Sequence, residues 1–278
     1  MGNRLGGFIR ARRDSLQPAA LGLPEPGRRR SPGLRRQDVA ARAGISVEYL
    51  TRIEQGRDRN PSPAVLDALA RALELVPTER EHLRYLARIA AELCGAAVPA
   101  VPPARHVRPG VRETLRLLEP GIAVLTNRLG DLLGHTGGFA AITGDSGLLD
   151  GEPPNLTRYV FTDPRSRDFL ADWSDVADER AFDLWRAPSA ENSEWLTAEL
   201  APLAGAEFTE RISRHVVPRL RELRLDHPAE GRLRLDREVL ELPGDDQQLV
   251  VLLPADAATG RAVDRLRRAF HGRLRSIS

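Results

Sequence analysis

The feature that most constrains this fold is the stretch at residues 36–53, RQDVAARAGISVEYLTRI. Its pattern predicts two short helices that pack closely, with a tight turn between them. The turn requires a residue that accepts a positive φ without steric cost, and Gly44 supplies it. Ser46 is a good N-cap for the second helix. The expected buried positions follow helical spacing, and they are Val39, Ala40, Ala43, Ile45, Leu50 and Ile53. The stretch therefore predicts a helix-turn-helix motif.

Three further helices are predicted around this motif. Apolar residues at helical spacing precede Pro18 and indicate a first helix. A fourth is expected to begin with Ser62 as its cap and Pro63 in its first turn. A fifth is expected to begin at Thr78, with Glu81 completing a capping box.

The rest of the chain has a different pattern. A proline-rich linker at residues 95–110 is expected to separate an all-α five-helix domain, residues 1–94, from a second domain, residues 111–278. Two strand-like segments come first there, then a helical middle and three more strand-like segments that break at HPAEG and PGDD. This order predicts an α+β domain with an antiparallel sheet.

Charge is distributed unevenly along the chain. Residues 1–60 hold 13 arginines against 6 acids, a net of +7, whereas residues 96–278 hold 24 arginines against 28 acids, a net of −4. A basic N-terminal segment followed by a mildly acidic remainder favours a polyanionic partner that binds the N-terminal segment alone. All 41 basic residues are arginine, so lysine Schiff-base chemistry and a phosphate loop of the GK[ST] type are excluded.

Composition also bears on location and chemistry. The single cysteine, Cys94, excludes an intrachain disulfide. The N-terminal residues lack the apolar stretch of a signal peptide, and no apolar run approaches the about 20 residues that span a bilayer. We therefore expect a cytoplasmic protein without membrane contact. The six histidines have no metal-ligand spacing, and we expect no metal, no cofactor and no catalysis.

Longer stretches resemble known regulators. The segment GLRRQDVAARAGISVEYLTRIEQGRDRNPSPAVLDALARAL is similar to the helix-turn-helix of Xre-type regulators. The segments RRRSPGLRR, YVFTDPRSRDFLADW and QQLVVLLPAD resemble the MmyB-like regulators of actinobacteria. The resemblance implies a transcription regulator whose C-terminal half is a PAS-like domain with an apolar, fatty-acid-sized pocket. His135 and Thr136 stand where that family usually has a tryptophan and an asparagine.

The predicted DNA contacts combine local chemistry with this resemblance. Arg36 stands at the N-terminus of the first motif helix, where backbone N–H groups and the helix dipole favour a phosphate. The resemblance directs Val47, Glu48 and Arg52 to the bases. Arg52 is able to bridge guanine O6 and N7, while Glu48 either accepts from cytosine N4 or holds Arg52 in position. The whole predicted DNA-binding set is Arg35, Arg36, Ser46, Val47, Glu48, Tyr49, Arg52, Arg57 and Arg59.

Aromatic residues concentrate in the helical middle of the second domain, and two interpretations stand open. They form its core, or some of them line a ligand pocket with a few polar groups. The predicted pocket residues are His135, Thr136, Phe139, Phe161, Phe169, Trp173 and Trp195.

These patterns predict a sequence-specific regulator of transcription, and the resemblance implies that it senses a small apolar, fatty-acid-like ligand. A single helix-turn-helix reads only a half-site, so we expect a homodimer on double-stranded DNA with a pseudo-palindromic operator. The alternative is a DNA-binding regulator whose C-terminal domain serves only dimerisation or a protein partner.

Overall fold

A computed structural model describes residues 3–21, 33–92, 105–186, 190–214, 216–218, 221–242 and 246–275. In these segments no helix is long and apolar enough to cross a membrane. The chain divides into two compact units, Met1–Pro99 with Glu210–Val217 and Ala100–Thr209 with Pro218–Ser278. Most of the predicted linker, residues 95–104, lies outside the described segments, whereas Val107 is already buried in the second unit.

The first unit contains the five expected helices. They are α1 (Arg4–Ser15), α2 (Arg36–Ala43), α3 (Val47–Glu54), α4 (Pro63–Ala72) and α5 (Pro77–Glu92). Val39, Leu50 and Ile53 are fully buried in one core with apolar residues of α1, α4 and α5. Ser62 caps α4 as predicted, since its hydroxyl accepts from the Val65 N–H at 3.4 Å.

The predicted start of α5 is wrong. The helix begins at Pro77, and the Glu79 carboxylate accepts from the Val76 N–H at 3.0 Å. Thr78 therefore lies inside the first turn. The carboxylate that caps the start of the helix belongs to Glu79 and not to Glu81. The reason is local, because proline needs no N–H partner at the first helical position and its fixed φ suits that position.

The second unit is α+β with an antiparallel sheet, as predicted. Its helices are α6 (Pro109–Leu117), α7 (Gly137–Thr143), α8 (Leu156–Thr162), α9 (Arg165–Phe169), α10 (Trp173–Arg186) and α12 (Ala257–Arg275), together with α11 (Ala190–Arg214), whose last residues, from Glu210, belong to the first unit. Its strands are β1 (Ile122–Asn127), β2 (Leu132–His135), β3 (Glu222–His227), β4 (Gly231–Leu242) and β5 (Gln247–Pro254). Helix α11 is interrupted at Gly205, whose φ of 70° and ψ of −156° are not helical.

The strands pair in the order β2-β1-β5-β4-β3. Side chains alternate between the two faces of each strand. On β5, Val250 and Leu252 face a core that includes residues of α7 to α10 and α12, while Leu249 packs with Val111 and Leu115 of α6. Strand β5 is thus covered on both faces around Leu249 and Val250, which explains why LVVLL, residues 249–253, is apolar without a break.

Candidate nucleic-acid interface and cavity

The turn of the helix-turn-helix has the predicted geometry. Gly44 has φ 65° and ψ 32°, in the left-handed region, and the Ile45 N–H donates to the Ala40 carbonyl at 3.0 Å. The Ser46 hydroxyl then accepts from the Tyr49 N–H at 3.0 Å and caps α3. With Leu50 fully buried, the opposite side of α3 is left facing solvent.

The solvent face of α3 carries the side chains predicted to read bases. Val47, Glu48 and Arg52 are all exposed, and Tyr49 is half-buried beside them. The Arg52 guanidinium carbon lies 5.3 Å from the centre of the Tyr49 ring. The acid that pairs with Arg52 is Asp58, at 4.0 Å, rather than Glu48. In this structure Glu48 is therefore not the residue that holds Arg52 in position.

The arginines predicted to contact phosphates flank this face. Arg35, Arg57 and Arg59 are exposed. Arg59 folds back to donate from Nε to the Gly56 carbonyl at 3.0 Å. At the N-terminus of α2, the Asp38 carboxylate accepts from the Arg35 N–H at 2.8 Å.

Arg36 has a second partner that the sequence did not indicate. Its Nε donates to Oε2 of Glu54 at 2.6 Å, and Arg13 Nε donates to Oε1 of the same carboxylate at 3.0 Å. The Glu54 side chain has no exposed surface, whereas the Arg36 side chain remains 42% exposed. Arg36 therefore ties α2 to α3 while part of its guanidinium still faces solvent.

The C-terminal end of α3 is also held by α1 and its cap. Asn3 donates from Nδ2 to the Ile53 carbonyl at 2.6 Å, and Arg10 donates from Nη2 to the Glu54 carbonyl at 3.2 Å. The Ile53 carbonyl also accepts from the Gly56 N–H at 3.0 Å, so these side chains add to the backbone bonds that end the helix. Gly6 permits the close approach, because a Cβ there would lie 2.4 Å from the Glu54 carbonyl oxygen.

The second unit contains a cavity of about 80 Å³ between the sheet and α7 to α10. Most of its wall is apolar. The lining residues are Val124, Thr126, Leu132, Phe139, Ile142, Thr143, Leu148, Leu156, Phe169, Leu170, Val176, Glu179, Arg180, Leu223, Leu225, Arg237, Gln248, Val250 and Leu252. A concave, mostly apolar space with a few polar groups is typical of a small-molecule site.

Charged residues form one part of the wall. Glu179 accepts from Arg180 Nη2 at 2.8 Å and from Arg237 Nη1 at 2.9 Å. Asp183 lies 2.7 Å from Arg180 Nη2. Burial by itself raises the pKa of Glu179, but Arg180 and Arg237 outweigh it and hold that pKa below its usual value. The Glu179 carboxylate is therefore ionised at neutral pH and paired with both arginines.

Two of the seven predicted pocket residues, Phe139 and Phe169, line this cavity. Thr136 instead caps α7, where its hydroxyl accepts from the Phe139 N–H at 3.2 Å and donates to the Gly121 carbonyl at 2.8 Å. His135 is exposed at the end of β2. Both residues therefore act at the edge of the sheet and not in the cavity wall.

The remaining three aromatic residues also lie outside the cavity wall. Trp173 donates from Nε1 to the Val160 carbonyl at 3.0 Å and belongs to the core. The Phe161 ring packs edge-on against Phe208, with centroids 4.7 Å apart. Trp195 is 42% exposed. Trp173 thus lies in the core, Phe161 packs against it, and Trp195 lies at the surface.

Sequence reasoning missed most of the residues that do line the cavity. Ile142 and Val176 carried no signal beyond helical periodicity. Arg180 and Arg237 carried no sequence signal either, because a single arginine in a charged stretch gives no sign of burial. Arg237 reaches Glu179 across 58 residues of sequence, and this pairing brings it to the buried cluster that Arg180 forms with its neighbours Glu179 and Asp183.

Comparison with known proteins agrees with this geometry. Residues 107–266 match the family model of the MmyB-like transcription regulator ligand binding domain, and residues 4–83 match that of a helix-turn-helix domain. An uncharacterized HTH-type transcriptional regulator, y4dJ, of Sinorhizobium fredii is 49% identical over 45 residues. That match covers 16% of this chain and 57% of the relative, so the chain spans little more than half of that protein. The helix-turn-helix unit and the ligand-binding unit together place the chain in the family of MmyB-like transcription regulators.

Proposed function

We propose that this protein is a cytoplasmic one-component regulator that binds an operator and responds to a small apolar, fatty-acid-like ligand. Residues 1–94 form the DNA-binding domain, residues 95–110 the linker, and residues 111–278 the ligand-binding and dimerisation domain. The observation that carries the first half is the solvent face of α3, which is exposed while its other face is fully buried. The observation that carries the second half is the mostly apolar cavity of the second unit.

Arg52 is the main source of base specificity in this proposal. Its guanidinium is more than half exposed, at 56%, and lies against the Tyr49 ring. This stacking limits the freedom of the side chain before DNA binds, which reduces the entropy lost on contact. Glu48 and Val47 stand on the same face, available to a cytosine amino group and a thymine methyl.

Phosphate contacts come from both sides of the recognition helix. Arg35, Arg57 and Arg59 are exposed, and Arg36 keeps part of its guanidinium in solvent. Ser46 places the N-terminus of α3 where backbone N–H groups favour an anion. Because one such unit reads only a half-site, a homodimer on a pseudo-palindrome supplies the rest of the specificity.

The size of the cavity limits the ligand. A water-sized group needs roughly 10–15 Å³ of such volume, so about 80 Å³ holds roughly six of them. The cavity as it stands therefore fits a short acyl chain, and a longer chain requires the wall to open. The rival function, a C-terminal domain that only dimerises, requires no such cavity.

The DNA-binding proposal is tested with bound fragments selected from the source genome. Fluorescence anisotropy then compares the selected operator with a scrambled duplex. Arg52→Ala is expected to lose roughly 1–3 kcal/mol on the operator alone and to relax preference at one base pair. Arg57→Ala is the matched control and is expected to weaken both duplexes alike while reducing the salt slope by about one. Equal losses on both duplexes for Arg52→Ala would contradict its base-reading role.

The ligand half is tested by native mass spectrometry of the gently purified full chain. A co-purified apolar mass supports a sensor. A ligand-free dimer that also gains no stability from short acyl compounds supports the dimerisation alternative.

A further inference from the structure

Three residues near the end of the linker, Arg105, His106 and Val107, form a linker anchor, because each contacts the same end of the sheet. Arg105 Nε donates to Asp131 Oδ2 at 3.1 Å. The His106 carbonyl accepts from Gln247 Nε2 at 2.9 Å. Val107 is buried in the apolar cluster that lies between α6 and the sheet. The chain is thus fixed to the second unit just before α6 begins.

The acid that pairs with Arg105 is itself held in a buried network. The Asp131 side chain is 2% exposed, and its carboxylate accepts from Asn127 Nδ2 and Asn155 Nδ2, each at 2.9 Å. Burial raises the pKa of Asp131, but hydrogen bonds from the two asparagines and Arg105 outweigh it and hold that pKa below its usual value. Arg105 therefore binds an ionised carboxylate at neutral pH, and Asn127 connects that carboxylate to the end of β1.

The same end of the sheet forms part of the cavity wall. Thr126, Leu132 and Gln248 line the cavity. Each of them is the chain neighbour of a residue that holds the linker anchor, in the pairs Thr126–Asn127, Asp131–Leu132 and Gln247–Gln248. Across β1 and β5, Thr126 pairs with Gln248 and Asn127 pairs with Gln247. Because neighbouring side chains of a strand point to opposite faces, one face here lines the cavity and the other carries the side chains that hold the anchor.

We propose that the linker anchor is a coupling device, which is loosened when a ligand enters the cavity and opens its wall. A ligand longer than the cavity holds separates parts of the wall, and the ends of β1 and β5 belong to that wall. Displacement of these strand ends moves the groups that hold Arg105 and His106. The inference rests on the proposed ligand-sensing function and gives it a route to the helix-turn-helix, since residues 95–104 join the anchor to the first unit along the chain.

Such a coupling is reciprocal by thermodynamic necessity. If a long ligand weakens the anchor, a chain whose anchor is already weakened binds that ligand more tightly by the same factor. Arg105→Gln removes the ion pair with Asp131, and the Arg105 side chain is 53% exposed, so the substitution leaves the core unchanged. Arg112→Gln is the matched control, because Arg112 is an exposed arginine on α6 outside the anchor.

Two straight-chain acids serve as probes in isothermal titration of the full chain. Hexanoate has about the size that the cavity holds, whereas decanoate requires the wall to open. Arg105→Gln is expected to bind decanoate about threefold to tenfold more tightly than the unaltered chain does, the scale of one net hydrogen bond. Its affinity for hexanoate is expected to stay the same. Arg112→Gln is expected to bind both acids as the unaltered chain does.

Two further measurements follow the anchor and the output. In hydrogen–deuterium exchange of the unaltered chain, decanoate is expected to speed exchange in the peptide that covers residues 105–112, and hexanoate is not. In fluorescence anisotropy with the selected operator, Arg105→Gln without ligand is expected to shift the affinity in the same direction as decanoate shifts it in the unaltered chain.

The outcomes separate the inference from the proposed function. If decanoate binds and changes operator affinity while the 105–112 peptide exchanges no faster, the inference is overturned and ligand sensing stands. Equal affinity of Arg105→Gln and Arg112→Gln for decanoate has the same consequence. If neither acid binds, the proposed sensing of acyl ligands fails, and the inference fails with it. The exchange measurement decides the matter even if Arg105→Gln does not fold.

Discussion

Glu54→Gln is the substitution that best tests how the recognition helix is held. The Glu54 carboxylate has no exposed surface and bridges Arg13 and Arg36. Glutamine has nearly the same shape but no charge, and its amide nitrogen is a donor. One of the two arginines would therefore face a donor where it now faces a carboxylate oxygen.

The expected loss follows from the exposure of the partners. Removing one partner of a buried ion pair costs about 3–5 kcal/mol. Arg36 is 42% exposed and is able to turn toward water, while Arg13 is 9% exposed and keeps Asp14 at 2.8 Å. We therefore expect Glu54→Gln to lower the free energy of unfolding by about 3 kcal/mol, the lower end of that range. For a domain of 60–100 residues this corresponds to a fall in the melting temperature of roughly 12–24 °C.

The two units are followed separately in one sample of the full chain. All three tryptophans lie at or beyond residue 173, so tryptophan fluorescence reports the second unit. Far-UV circular dichroism reports both, and the expected result is an earlier helical transition with an unchanged fluorescence transition.

The control for this experiment is Glu48→Gln. Glu48 is an exposed acid on the same helix, and the change there is expected to stay within about 0.5 kcal/mol. If Glu54→Gln and Glu48→Gln shift the helical transition equally, the buried cluster does not hold α3 and the reasoning fails.

Two further predictions concern the backbone turn and the response to pH. Gly44→Ala is expected to cost the first unit about 1 kcal/mol in denaturant unfolding, because φ is 65° while no atom lies within 4 Å of an added Cβ. At Gly6 an added Cβ would meet the Glu54 carbonyl oxygen, so Gly6→Ala is expected to lower the free energy of unfolding more. If Gly44→Ala lowers it more than Gly6→Ala does, this account is contradicted. Burial lowers the pKa of His227 despite the opposing effects of Asp145 and Glu230. The unfolded chain then binds the proton more readily, so stability of the second unit is expected to fall as pH drops below about 6.5. His227→Gln should remove that slope in a fluorescence-monitored titration, and a slope that survives would assign it to another group.

The sequence by itself determined the helix-turn-helix because each of its requirements is local. A positive φ at Gly44, a hydroxyl cap at Ser46 and apolar residues at helical spacing are properties of a few neighbouring residues. The sheet strands were predictable for the same reason, since an alternating or unbroken apolar pattern marks them. The short helix α7 and the start of α5 were not, because short segments carry little periodic signal and several residues compete to cap them.

Only the tertiary structure decided which side chains form the buried polar groups and the cavity. Glu54 meets Arg13 across 41 residues, and Glu179 meets Arg237 across 58. The residues that flank Glu54 and Glu179 in the sequence do not distinguish them from exposed glutamates. Burial of a charge depends on a partner from an element that is distant in the sequence. The sequence could not place the aromatic residues for the same reason, since an aromatic residue is equally suited to a core, a cavity wall or a surface. The packing of α7 to α10 on the sheet, and not the residue types, assigned Phe139 to the cavity and Trp173 to the core.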